Sequence, residues 1–237
     1  MTPVGRVDLE PINGEIRALL WRFMAPDHWP SALPRAFPMQ YPAQCREGLL
    51  TVGLNGSFDA RRDTVLSVQQ RDELCDDQRA TAVLEWERRQ LGWVKGIRPY
   101  RHYQPLRAIA AAAGLPWAHL DLFAVRGKDA QIIDKLTKSR DHARWFQEQL
   151  TLFDQASCML RPRVILVESV TAADLFQRRY HLTKAREDLF YRWRSADAAL
   201  VDVPVFLTGM MTRGVDRHTL ERWGVLVRMA ARDGLTS

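Results

Sequence analysis

Cysteine is scarce in this chain. Cys45, Cys75 and Cys158 are spread over 237 residues, with no CxxC pair and no cysteine–histidine cluster. That spacing argues against a structural zinc or an iron–sulfur site. An odd thiol count with no signal peptide reads as a reducing, cytoplasmic setting. A GxSxG nucleophile elbow and a GxxxxGK[ST] phosphate loop are also missing, which weakens a hydrolase reading and leaves no P-loop signal. No apolar run approaches the roughly 18 residues of a membrane span. The expectation is a cytoplasmic protein with no metal, no cofactor and no membrane partner.

What is present is enough for a core. Apolar residues make up 46% of the chain and charged residues 26%, so the chain is not disordered. The length fits one large domain over 1–237. Prolines cluster before Gln44, and residues 1–44 are expected to form a helix (Ile16–Met24) and a proline-rich strap packed on that domain. Lys and Arg total 34 against 28 acidic residues, for a net charge of +6. Arginine dominates, and its fork of donors suits phosphate. That charge fits a nucleic-acid partner and a mildly basic enzyme equally well.

Four apolar runs have strand character: Gly48–Leu54, Trp117–Val125, Arg163–Glu168 and Val203–Gly209. Helical patterns separate them at Ala80–Leu91, Tyr100–Ala113, Asp129–Met159 and Ala172–Tyr180, with a last helix over Asp216–Ala231. Continuous hydrophobic strands alternating with helices imply a parallel sheet covered on both faces. In such sheets ligands bind beyond the carboxyl ends of the strands. The loops there read "GLNGSFD", "VRGKD", "ESVT" and "TGMMTRG", so one shared pocket is expected.

In the first loop, Gly53 and Gly56 permit close ligand approach. Asn55 is no strong base, but its amide can orient a water. Asp59 could act as the base or cap the next helix, and the whole loop could equally be a glycine-bearing turn. Arg126 and Lys128 end the second strand, as a phosphate contact or as solvated charge. Glu168 ends the third, either facing a ligand or serving as a cap or an arginine partner. "RPYRHYQPLR" (Arg98–Arg107) has the composition of a strand-tracking surface, or of a helix start with snorkelling arginines. "HLTKAREDLFYRWRS" (His181–Ser195) has a similar aromatic-basic composition, or its Phe190, Tyr191 and Trp193 bury a lid.

"GLNGSF" resembles the first motif of the uracil-DNA glycosylase superfamily, G-[IL/M]-N-P-G in its mismatch-specific branch. "HLDLFAVR" is similar to a strand and loop of the form xTNxVxxR in other branches, and "VPVFLTGMMTRG" occupies the place of the last motif. The resemblance spans Gly48 to Arg222. It departs from the family at Gly56, where proline is usual, and in the last loop, which lacks His-Pro-Ser.

The resemblance implies a three-layer α/β/α sandwich with a central four-stranded parallel sheet. It also implies a monofunctional DNA glycosylase, acting as a monomer, that flips out a damaged or modified base and hydrolyses its glycosidic bond. Asn55 would hold the attacking water, and Phe58 would stack on the base with Gly53 close by. Flipping needs a wedge, for which Met210 and Met211 are candidates against ordinary packing, with Arg213 on a phosphate or the orphaned base. The family's leaving-group histidine is missing, and His218 is expected on the surface of the last helix.

Asp121 stands where the family commonly carries asparagine. An ionised carboxylate only accepts hydrogen bonds, so in the pocket it would favour a base bearing an amino group. A modified cytosine, removed in genome defence or repair, fits that chemistry. The competing placement pairs Asp121 with Arg126 or caps a helix. The other readings are a non-catalytic binder of modified DNA with the same fold, and an unrelated α/β hydrolase of nucleosides.

Overall fold

The computed structural model describes residues 5–24, 33–127, 133, 142–180, 182–184, 190–193, 200–209 and 215–233. Among these, the strands are β1 (Arg6–Val7), β2 (Gln44–Cys45), β3 (Leu49–Ser57), β4 (Trp117–Gly127), β5 (Val164–Val167), β6 (Leu182–Lys184), β7 (Tyr191–Trp193) and β8 (Val203–Leu207). The α-helices are α1 (Glu10–Phe23), α2 (Asp77–Gln90), α3 (Tyr103–Ala113), α4 (Ala143–Leu160), α5 (Val170–Arg179) and α6 (Arg217–Asp233).

The central sheet has six strands in the order β4-β3-β5-β8-β7-β6. The four apolar runs read from the sequence form its parallel part, β4-β3-β5-β8. The expected four-stranded sheet is therefore corrected to six. The segment read as a lid supplies two antiparallel strands of three residues each, with Tyr191 opposite Val205 and Trp193 opposite Val203. Three residues are too few for alternation to stand out in a sequence.

Each face of the sheet buries its own core. Leu49, Trp117, Val164, Leu166 and Phe206 pack with Leu106 and Ile109 of α3 and Val227 of α6. Leu50, Val52, Leu120, Ile165 and Val205 pack with residues of α1, α4 and α5, such as Ile16, Phe153 and Phe176. Burying one such aliphatic side chain contributes about 1.5–3 kcal/mol, so the two cores hold the strand ends in register.

Local signals fix the helix ends. Asp76 caps α2 by accepting from the amides of Gln78 and Arg79, and Gly114 closes α3 at φ +71°. Helix α1 begins at Glu10, earlier than expected, because proline is tolerated in a first turn. Helix α4 begins at Ala143. The earlier half of that expected helix, other than Ile133, lies outside the described residues.

Strand β4 is the edge of the sheet, and the segment after α1 covers it. Gln44 clamps the backbone of His119, accepting from its N–H at 2.7 Å and donating to its C=O at 2.8 Å. The Met39 amide donates to Ala124 O at 2.9 Å. These bonds satisfy ladder groups that would otherwise be open.

Candidate functional site

The parallel strands bring three sequence-distant positions to one rim. Gly53 pairs with Asp121 across β3 and β4, and Val52 pairs with Val167 across β3 and β5. The Glu168 amide donates to Val52 O at 2.9 Å. Alternation along the strands puts Thr51, Gly53, His119, Asp121 and Glu168 on the α3 side. The chain leaves β3 towards β4 and later crosses to β5 on the other side, so the switch point that favours ligands falls at Gly53 and Glu168.

A buried polar chain runs under this rim. The Trp117 indole donates to Thr51 Oγ1 at 3.0 Å, and that oxygen lies 2.9 Å from His119 Nδ1. His119 Nε2 is 3.7 Å from Asp121 Oδ2, beyond hydrogen-bonding distance. Oδ2 is buried and has no hydrogen-bond partner among the described residues. Tyr41 reaches the same residue through the backbone, its hydroxyl accepting from the Asp121 amide at 3.1 Å. Burial, and then the Asp121 charge, push the Tyr41 and Tyr103 phenols well above their ordinary range.

The second cluster is a His–Glu pair. His102 immediately precedes α3, and its Nε2 lies 3.0 Å from Glu168 Oε1. The Glu168 side chain is 2% exposed and that of His102 34%. Glu168 Oε2 is a second buried acceptor without a partner among the described residues. Burial opposes the charged form of His102. The hydrogen bond and charge of Glu168, helped by Asp121, outweigh it and raise the His102 pKa. Ser169, next to Glu168, sits at φ +77° while capping α5. Residues held in such sparsely populated backbone conformations cluster at functional sites.

Beyond the end of β3 opens a cavity of about 590 Å³, within the range of small-ligand pockets. Phe58, Trp86, Tyr100 and Tyr103 give it aromatic walls, and Asp59 and Arg62 lie on its lining. Tyr103 links the cavity to the polar rim, because its ring meets His102 and His119 edge-on with centroids 5.1 and 5.0 Å away.

The Arg126 guanidinium is turned inward here. It pairs with Glu87 of α2, donates through Nε to Phe37 O at 3.0 Å, and lies over the Trp86 ring. Both side chains are 2% exposed. Both residues also lie on the cavity lining, so the guanidinium expected to meet a phosphate is one already paired with Glu87. Burial raises the Glu87 pKa, and Arg126 opposes that rise.

Other expected site residues have mixed placements. Phe58 is buried and lines the cavity, as does Asp59. Asp59 also organises a turn, its Oδ1 accepting from the Arg61 amide at 3.1 Å. Asn55 is a strand residue rather than a loop residue, because β3 continues to Ser57 with a bulge after Asn55. Its amide donates to Gly56 O at 3.1 Å, and it is not among the residues lining the cavity. Asp121 and Glu168 are not among the residues lining the cavity, while Tyr103, which is, meets His102 and His119 of the rim. His218 is exposed on α6, 3.7 Å from Glu221. Lys128, Met210, Met211 and Arg213 lie outside the described residues.

From the sequence, His102 and Tyr103 entered only as members of the Arg98–Arg107 run, and Glu87, Trp86 and His119 were given no role in a site. One signal was present: His119 and Asp121 alternate with leucines in an otherwise apolar strand, which puts two polar groups on one buried face. Among the described residues no group of three or more His, Cys, Asp or Glu is placed to hold a metal ion, and no helix is long and apolar enough to cross a membrane.

No family model, curated protein or solved structure matches this chain. A functional reading therefore rests on its own residues.

Proposed function

We propose that the chain is a divergent uracil-DNA glycosylase-like enzyme that hydrolyses the N-glycosidic bond of a damaged or modified base in DNA. The observation that carries this reading is an aromatic-walled cavity of about 590 Å³ at the carboxyl end of the parallel strands, adjoining a rim of buried carboxylates and a histidine. Flat walls suit a flipped nucleobase. Carboxylates near the reacting carbon suit a sugar that becomes cationic as its bond to the base stretches. In this reading the layers on the two sheet faces are those of an α/β/α sandwich, and the basic balance of the chain serves the DNA backbone.

The test is mass spectrometry of bases released from DNAs carrying uracil, hypoxanthine and modified cytosines. We expect one class to be released, leaving abasic sites. No release from any of them removes the enzymatic reading.

A second reading, a non-catalytic binder of modified DNA, is favoured by the position of Asn55 outside the cavity lining. It requires tight binding of a modified DNA without base release.

A further inference from the structure

We propose that His102 is the base that takes the proton of the attacking water, with Glu168 as the residue that positions it, an assignment that rests on the glycosylase reading above. The Glu168 carboxylate only accepts hydrogen bonds, so Nε2 of His102, 3.0 Å away, carries the hydrogen. This fixes the tautomer and leaves Nδ1 with its lone pair whenever the ring is neutral. Nδ1 has no hydrogen bond to a described residue, and the His102 side chain is the half of the pair that reaches solvent.

Asn55 and Asp59, expected from the sequence to hold and to activate the water, are each engaged with neighbouring backbone. The Asn55 amide has no basic atom, and its nitrogen is engaged by Gly56 O. Asp59 holds its own turn together. Tyr100 and Tyr103, on either side of His102 in the sequence, both line the cavity. Glu168 lies at the β3–β5 switch point, with a strained Ser169 after it.

The step balances without a co-reactant. The water oxygen bonds to the sugar C1′ as the bond from C1′ to the base nitrogen breaks, and that electron pair leaves on the base. The water proton passes to His102 Nδ1, and the resulting imidazolium, steadied by Glu168, returns a proton to the departing base. The charged groups acting on His102 are Glu168 beyond β5 and Asp121 on β4. Tyr103, on its own helix, stays protonated.

The test is single-turnover base release by the full chain from DNA carrying whichever base the wild type excises, followed as a function of pH. Wild-type release should rise with pH through the raised His102 pKa. His102→Gln should lose that limb and slow release by about 100-fold or more, while Glu168→Gln should keep the limb and move it to lower pH. NMR titration of the imidazole gives a readout independent of turnover, in which Glu168→Gln should lower the His102 pKa. If the wild type releases a base but neither variant alters the limb, or if the imidazole titrates unchanged in Glu168→Gln, this assignment falls and the glycosylase reading stands. A wild type that releases no base from any DNA overturns both.

Discussion

Gly53 and Asp121 face each other across the β3–β4 ladder, and the Asp121 carboxylate occupies the space that a β-carbon at position 53 would need. His119 closes the same space from the side. A buried carboxylate is thus laid over a residue without a side chain, and the rim can be polar without spreading the strands. Gly53→Ala should destabilise the protein by about 1–3 kcal/mol through overpacking. Asp121→Gly should restore part of that loss in the double variant, a coupling that urea denaturation of the four proteins would measure. Additive effects would mean that the overlap is not the cause.

The Glu87–Arg126 pair supports the cavity from within. Removing one partner leaves an uncompensated buried charge, so Glu87→Gln should cost about 3–5 kcal/mol in urea denaturation. An apolar pair at both positions should cost less than either single change. The Arg126 guanidinium is already paired with Glu87 and 2% exposed, so a folded variant lacking it should bind DNA with an unchanged salt slope.

Stability should also depend on pH through His102. Folding raises its pKa above the ordinary 6.5, so protonation favours the folded state. Its contribution is complete below that ordinary value and disappears as pH rises through the higher folded value. Urea midpoints across this window should fall for the wild type. In Glu168→Gln the fall should be smaller, because the hydrogen bond and charge that raise the pKa are gone.

The cavity rings should matter for ligand more than for fold where they are exposed. Tyr100 is 44% exposed at the cavity lining, so Tyr100→Ala should leave stability nearly unchanged. It should weaken binding to DNA bearing the target base by about 1–3 kcal/mol, the usual worth of one stacking contact. Equal affinity for wild type and variant, measured by fluorescence anisotropy, would take Tyr100 out of the site.

Backbone phosphate contacts are expected from Arg62, on the cavity lining, and Arg101, exposed next to His102. Replacing both with alanine should reduce the slope of log affinity against log salt by about 2. An unchanged slope would place the DNA track elsewhere on the surface.

Much of the architecture was written in local patterns. The runs at Leu49, Trp117, Val164 and Val203 are continuous and apolar because both faces of the parallel strands are covered, and such runs need no partner to be recognised. The strands β6 and β7 were not legible, since three residues that take their place by pairing, β7 with β8 and β6 with β7, carry no period of their own. Arg126 shows the limit for side chains. Its position at a strand end was readable, but the direction of its guanidinium depended on Glu87, 39 residues earlier and on another element.

By itself the sequence determined that strands and helices alternate, that the strands are buried on both faces, and that polar residues collect at their carboxyl ends, because hydrophobic period and turn chemistry are local properties of the chain. Only the tertiary structure decided that His102 meets Glu168, 66 residues away, and that the Tyr103 ring touches His102 and His119 while lining the cavity. Such meetings depend on which strand lies beside which and in what register. That is settled by the joint packing of two cores, and no segment carries the information alone.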